Sequence, residues 1–200
     1  HQELADTAAH ITGFGTDSKN ELLICDHAEK KEGGFFTLIP KSDSTLSTQF
    51  PMTLTESGLF ESVPEHRLQP ALIPYSVNAP LWSDGTTKLR YMAIPGDEPK
   101  IEFNAKGAWG FPEKTVLVKS FALELKEGDP SSQRWIETRF LTKQQNEWVG
   151  YSYEWNEEQT EARLVSKEGS DRQFEIQTVG GSRQQTWHYP SRTECMVCHS

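Results

Sequence analysis

Between residues 71 and 189, Gly or Pro interrupts the chain at nearly every junction between short apolar stretches: Pro95-Gly96, Gly107, Gly110, Pro112, Gly128-Asp129-Pro130, Gly169 and Gly180-Gly181. Such punctuation cuts the chain into strand-length pieces and shows neither a long helix nor a repeat. The pieces read as strands at Leu89–Ile94, Lys100–Asn104, Thr115–Leu125, Arg134–Thr142, Glu147–Trp155, Ala162–Val165, Gln173–Thr178 and Gln185–His188. Within Thr115–Leu125 the second half alternates with period two, while the first half is apolar on both faces, as in a central strand. Short strands at this spacing predict a mainly β, antiparallel sandwich or barrel-like domain over 71–190, not a parallel α/β sheet.

Upstream, a smaller β unit is expected. Ile11–Gly15, a turn-rich Thr16–Asn20 and the apolar Glu21–Asp26 form a hairpin pattern, and a charged loop then leads to Phe35–Ile39, closed by Pro40. Residues 41–53 are rich in Ser and Thr and read as a surface linker. In Leu54–Glu61, Thr55 or Ser57 is placed to cap a helical turn.

Charge narrows the partners. Twenty Lys and Arg against 29 Asp and Glu give a net charge of −9, and no basic face is evident, which disfavours nucleic acid and anionic membranes. No apolar run approaches the ~20 residues of a membrane span. No signal peptide precedes His1, so the chain reads as mature, cut or incomplete at its start. Cys25, in Leu22-Leu23-Ile24-Cys25, reads as a buried thiol.

The most specific chemistry lies at Cys195-Met196-Val197-Cys198-His199. Two thiols three positions apart, followed directly by an imidazole, form the signature for covalent attachment of a c-type haem. With three Cys and six His in 200 residues, chance produces the pattern in roughly one such chain per thousand. Each thiol adds across one porphyrin vinyl group, and His199 is then placed as the proximal iron ligand. A zinc site would need further ligands from Cys25, His1, His10, His27, His66 or His188, and a thioredoxin-like pair would need a βαβ setting. Met196 lies between the two sulfurs and cannot reach the opposite haem face, whereas His188 is conceivable there. With Ser200 alone following His199, the expectation is that this chain by itself holds haem loosely or not at all. Bacterial c-type haem is attached outside the cytoplasm, so the motif predicts a periplasmic or extracellular location.

Six Trp and five Tyr crowd the β-rich part, suiting either an aromatic core or a site for carbohydrate or a haem edge. A carbohydrate-binding β-domain with no redox role of its own is therefore the alternative function. Asp84 reads as an Asp-Gly turn residue, Asn156-Glu157-Glu158 with Glu161 as a turn too irregular for a calcium loop, and Glu137 with Arg139 as a structural ion pair.

Two stretches carry a family likeness. Thr12-Gly13-Phe14-Gly15-Thr16-Asp17, Glu21-Leu22-Leu23-Ile24-Cys25-Asp26-His27 and Gly34-Phe35-Phe36-Thr37-Leu38 resemble the closing blade of glucose/sorbosone dehydrogenase β-propellers, which use pyrroloquinoline quinone. Cys25 and the charged loop Glu29–Gly33 depart from that pattern. Leu72–Gly85, Gly107–Pro112 with Thr115–Lys119, Glu137-Thr138-Arg139, Gly150–Asn156 and Trp187–His199 resemble a family of bacterial secreted proteins with a C-terminal haem motif, some fused to such a propeller. The resemblance implies the end of a propeller-like unit at 1–42, a linker at 43–70, the β-rich domain at 71–190 and the start of a cytochrome c-like haem segment at 191–200. It also implies an electron-transfer or accessory module of a quinoprotein sugar or alcohol dehydrogenase, with an upstream propeller or other redox partner. The quinone belongs to the parent protein and is not bound by this chain. Only Cys195, Cys198 and His199 take over a stated role, as haem-binding residues, with His199 the metal ligand.

Overall fold

The computed structural model describes residues 10–27, 33–37, 50–96 and 100–199, with the side chains of Cys198 and His199 outside the described set. Strand accounts for 50% and helix for 7%, so the protein is mainly β with antiparallel sheets, and no closed barrel forms among the described residues. It divides into two compact units, His1–Phe50 and Pro51–Ser200.

The first unit is a three-stranded antiparallel sheet of β1 (Ile11–Thr16), β2 (Leu22–Asp26) and β3 (Gly34–Thr37), in that order. Asp17 ties the first turn by accepting from the backbone N–H of Lys19 and of Glu21. Cys25 is a free, half-buried thiol. Positions 41–49 of the linker read over 41–53, and the end of the third strand at Leu38 and Ile39, lie outside the described residues.

The second unit opens on a 3-10 turn at Thr55–Ser57. Neither Thr55 nor Ser57 is its N-cap: Leu54 holds that position without a side-chain bond, and the Thr53 hydroxyl just before it accepts from the Glu56 N–H at 3.2 Å. Short strands β4 (Phe60–Ser62), β5 (Arg67–Leu68) and β6 (Ile73–Pro74) follow. The main sheet is built on β7 (Thr87–Ala93), β8 (Val116–Glu124), β9 (Gln133–Gln144), β10 (Glu147–Trp155) and β11 (Ala162–Leu164). Its order, β11-β10-β9-β8-β7-β6, is a meander in which each strand pairs with its sequence neighbour. Gln145 and Asn146, both at positive φ, make the two-residue turn between β9 and β10. Glu113 holds that turn by accepting from both N–H groups, at 2.9 and 2.5 Å. A separate hairpin, β12 (Ser170–Thr178) with β13 (Gly181–Tyr189), leads into helix α1 (Arg192–His199).

Strand alternation sends successive residues to opposite faces, and each face has its own cover. On one, Phe121, Leu123 and Ile136 pack with Ile176, Trp187 and Tyr189 of the hairpin. A bulge at Phe121/Ala122 breaks the β8–β9 register beside this cluster. On the other face, His66 stacks on Trp135 at 3.8 Å and meets Phe60 and Trp155. There the Trp155 indole N–H donates to the Thr138 hydroxyl at 3.0 Å, and Thr138 in turn meets Ser120 at 2.9 Å. Each fully buried large side chain contributes about 1.5–3 kcal/mol.

Candidate functional site

Helix α1 starts where it does because the chain before it is pinned. Tyr189 is fully buried and donates its hydroxyl to the Ile136 carbonyl at 3.2 Å. Pro190 follows, and Ser191 then caps the helix. Its hydroxyl accepts from the Glu194 N–H at 3.2 Å, while the Glu194 carboxylate accepts from the Ser191 N–H at 2.7 Å. This reciprocal pair is a capping box, and the Ser-x-x-Glu spacing is legible in the sequence. Gly169, at φ +79°, lies so close beneath the entry that a Cβ there would sit 2.6 Å from the Tyr189 carbonyl oxygen. Only glycine fits that approach. The Arg192 N–H donates to the Lys167 carbonyl, and its guanidinium lies 5.0 Å from the centre of the Tyr151 ring.

Cys195 is seated on strand β10. A Cβ added to Gly150 would lie 2.4 Å from the Cys195 Cβ and 2.8 Å from its Sγ, so the absence of a side chain at 150 is what lets the helix settle there. The seat also sets the thiol's chemistry. Burial pushes its pKa up, and the nearby Arg139 guanidinium offsets part of that. Positions 198 and 199 follow three and four residues later on the helix, the spacing that returns to the same side after one turn. The side chains of Cys198 and His199 lie outside the described residues.

His188, a conceivable iron ligand from the sequence, is engaged elsewhere. It is half exposed, with Nδ1 2.6 Å from Asp171 and Nε2 3.1 Å from Glu194. These bonds, to Asp171 first, raise its pKa. The Glu194 carboxyl is held down at about 2, mainly by the Ser191 N–H and then by His188. Glu194 therefore stabilises the native state above about pH 4.5 and loses that contribution as pH falls toward about 2. His188 contributes fully below pH 6.5 and stops doing so as pH rises through its raised folded value. The helix entry is expected to be most secure between about pH 4.5 and 6.5. Thermal unfolding of His188→Gln across pH checks this: its deficit against wild type should be small, since the pair is solvent-screened, largest in that window, and absent at alkaline pH. A deficit that is constant with pH would contradict it.

Beneath the helix lies a polar core. Glu137, with no exposure, accepts from Arg139 Nε at 2.6 Å and Nη2 at 2.9 Å, from the Ser152 hydroxyl at 2.7 Å and from the Trp187 indole at 2.9 Å. The Glu137–Arg139 ion pair expected from the strand is present, and Ser152 and Trp187 are the partners that sequence reading missed.

Other candidates resolve individually. Trp155 and Trp187 are core residues, whereas Trp82 and Trp109 are 75% and 51% exposed. Asp84 and Gly85 form a turn with both φ positive, and Asn156 closes its own turn by accepting from the Thr160 N–H. His66 is 9% exposed, with Nε2 unpartnered and its pKa lowered to about 4 by burial. No group of three or more His, Cys, Asp or Glu placed to hold a metal occurs among the described residues. Compared with known proteins, the chain matches no family profile, no curated protein and no solved structure.

Proposed function

We propose that this chain is a haem c-bearing electron-transfer module of an extracytoplasmic oxidoreductase, working as the C-terminal part of a larger quinohaemoprotein or beside one. The carrying observation is that Cys195-Met196-Val197-Cys198-His199 lies on helix α1, whose start is fixed to the β-domain by a capping box and whose first thiol rests on the main sheet. The donor set fits the group: two thiols and an imidazole at the attachment spacing, with Cys195 free. When bound, the group supplies one-electron chemistry at iron, with a potential tuned by its axial ligand and surroundings.

Cys195 and Cys198 are the tethers in this reading, and His199 is the proximal ligand. Because burial raises the Cys195 pKa, its thiolate is scarce when the helix is seated. The three-stranded first unit supports the reading of residues 1–42 as the end of a propeller blade, whose catalytic residues belong to the parent dehydrogenase. A periplasmic or extracellular location follows from the same attachment chemistry. Carbohydrate binding is the second reading, and the exposure of Trp82 and Trp109 favours it.

Expression in a host that matures c-type cytochromes, with absorption spectra of wild type and of Cys195→Ser with Cys198→Ser, tests the proposal. The wild type is expected to give a haem spectrum that survives acid–acetone extraction, and the double variant none. An extractable haem, or no haem in the complete gene product, would refute it. Trp fluorescence that responds to polysaccharide in both forms alike would favour the second reading.

A further inference from the structure

In a chain of net charge −9, one part of the main sheet runs against the overall sign. Antiparallel register sets Arg90 on β7 opposite Lys119 on β8, and Lys119 opposite Arg139 on β9. Lys88 lies two residues from Arg90 on the same face. Arg139 is committed to Glu137, and Lys88 donates to the Leu81 carbonyl at 2.6 Å. Among the described residues, neither Arg90 nor Lys119 makes an ion pair within 4 Å, although the Glu137 carboxylate acts on Lys119 from further off. Lys119 Nζ and the Arg139 guanidinium each lie 4.8 Å from the centre of the same ring, Phe121. Burial first, then Arg139, Arg90 and Lys88, hold the Lys119 amine down to about 8, with Glu137 offsetting part of this. Half-buried like charges gathered this way are costly unless an anion joins them.

The adjacent row on that face is apolar and begins under Cys195. Gly150 pairs with Leu141, Leu141 with Leu117, and Leu117 with Met92. All three of these apolar side chains are half-buried. Lys119 stands two strands from β10, about 10 Å at ordinary strand spacing. A strip that starts at a tethering thiol, continues over Leu141 and Leu117, and is bordered by unpaired cations suits a flat apolar molecule with carboxylates along its far edge.

We propose that Lys119 and Arg90 bind the propionate carboxylates of the porphyrin tethered at Cys195 and Cys198, with Leu117 and Leu141 as its floor. The assignment rests on the haem reading above and adds residues that no haem motif specifies.

The test uses the complete gene product, matured with haem, beside its haem-free Cys195→Ser/Cys198→Ser form. Lysine acetylation at pH 8, followed by mass spectrometry, reads Lys119 directly. A propionate neighbour raises the amine's pKa, and a rise of one unit from about 8 cuts the free-amine fraction at pH 8 from about one half to about one tenth, so Lys119 should react roughly fivefold more slowly with haem attached. In the haem form, Lys119→Met with Arg90→Met should lower the midpoint potential, because two cations that favour the reduced iron are gone. Covalent haem with unchanged Lys119 reactivity and unchanged potential would overturn the propionate assignment alone. Failure to attach haem, seen in the spectrum, would overturn both readings.

Discussion

Arg139→Met should cost the β-domain about 3–5 kcal/mol, the range for removing one partner of a buried ion pair. The Glu137 carboxylate has no exposure, and Arg139 supplies its ion pair among the described residues as well as two of its four hydrogen bonds. Ser152 and the Trp187 indole remain, but two neutral donors do not replace a guanidinium. Glu137→Met strands those same two donors, at about 1–3 kcal/mol each, while the one-third-exposed Arg139 can turn to water. The double variant should recover part of the sum, since each single change leaves a partner behind. Urea unfolding of the four proteins measures this, and against a typical domain stability of 5–15 kcal/mol the loss is large. A loss below about 1 kcal/mol for Arg139→Met would mean that the network is dispensable.

Gly150→Val should unseat helix α1. Valine suits a strand, so the conflict falls on Cys195, whose Cβ would lie 2.4 Å from the new one. Overpacking of this kind costs about 1–3 kcal/mol, or about 5- to 150-fold in an equilibrium constant. Iodoacetamide should therefore alkylate Cys195 faster by a factor in that range at fixed pH, with little change in the sheet's circular dichroism. An unchanged alkylation rate would show that the thiol is reached without the helix leaving Gly150.

Local signals were legible, and distant partners were not. Glu147–Trp155 matches β10 because Tyr151-Ser152-Tyr153-Glu154-Trp155 alternates with period two, and Thr115–Leu125 matches β8 to within a residue at each end. Lys100–Asn104 forms only a single bridge, Glu102 with Gly110, having too few apolar residues to bury. The hairpin strands β12 and β13 run longer than expected because cross-strand pairing extends a polar pattern that periodicity alone truncates. At the candidate site, the attachment spacing and the Ser191–Glu194 box are written in adjacent residues. The Gly150 seat, the Trp187 bond to Glu137 and the unpartnered His66 depend on residues brought together by topology. The cationic row is the sharpest case. The sequence shows no basic face, yet strand register aligns Arg90, Lys119 and Arg139 across three neighbouring strands.

The most direct measurement is the intact mass of the matured polypeptide under denaturing conditions, followed by tryptic mapping. The account predicts one added porphyrin iron per chain, carried on a single peptide through both Cys195 and Cys198. An unmodified mass, a mass two hydrogens lower from a bond between those sulfurs, or a zinc ion retained under native conditions would contradict it.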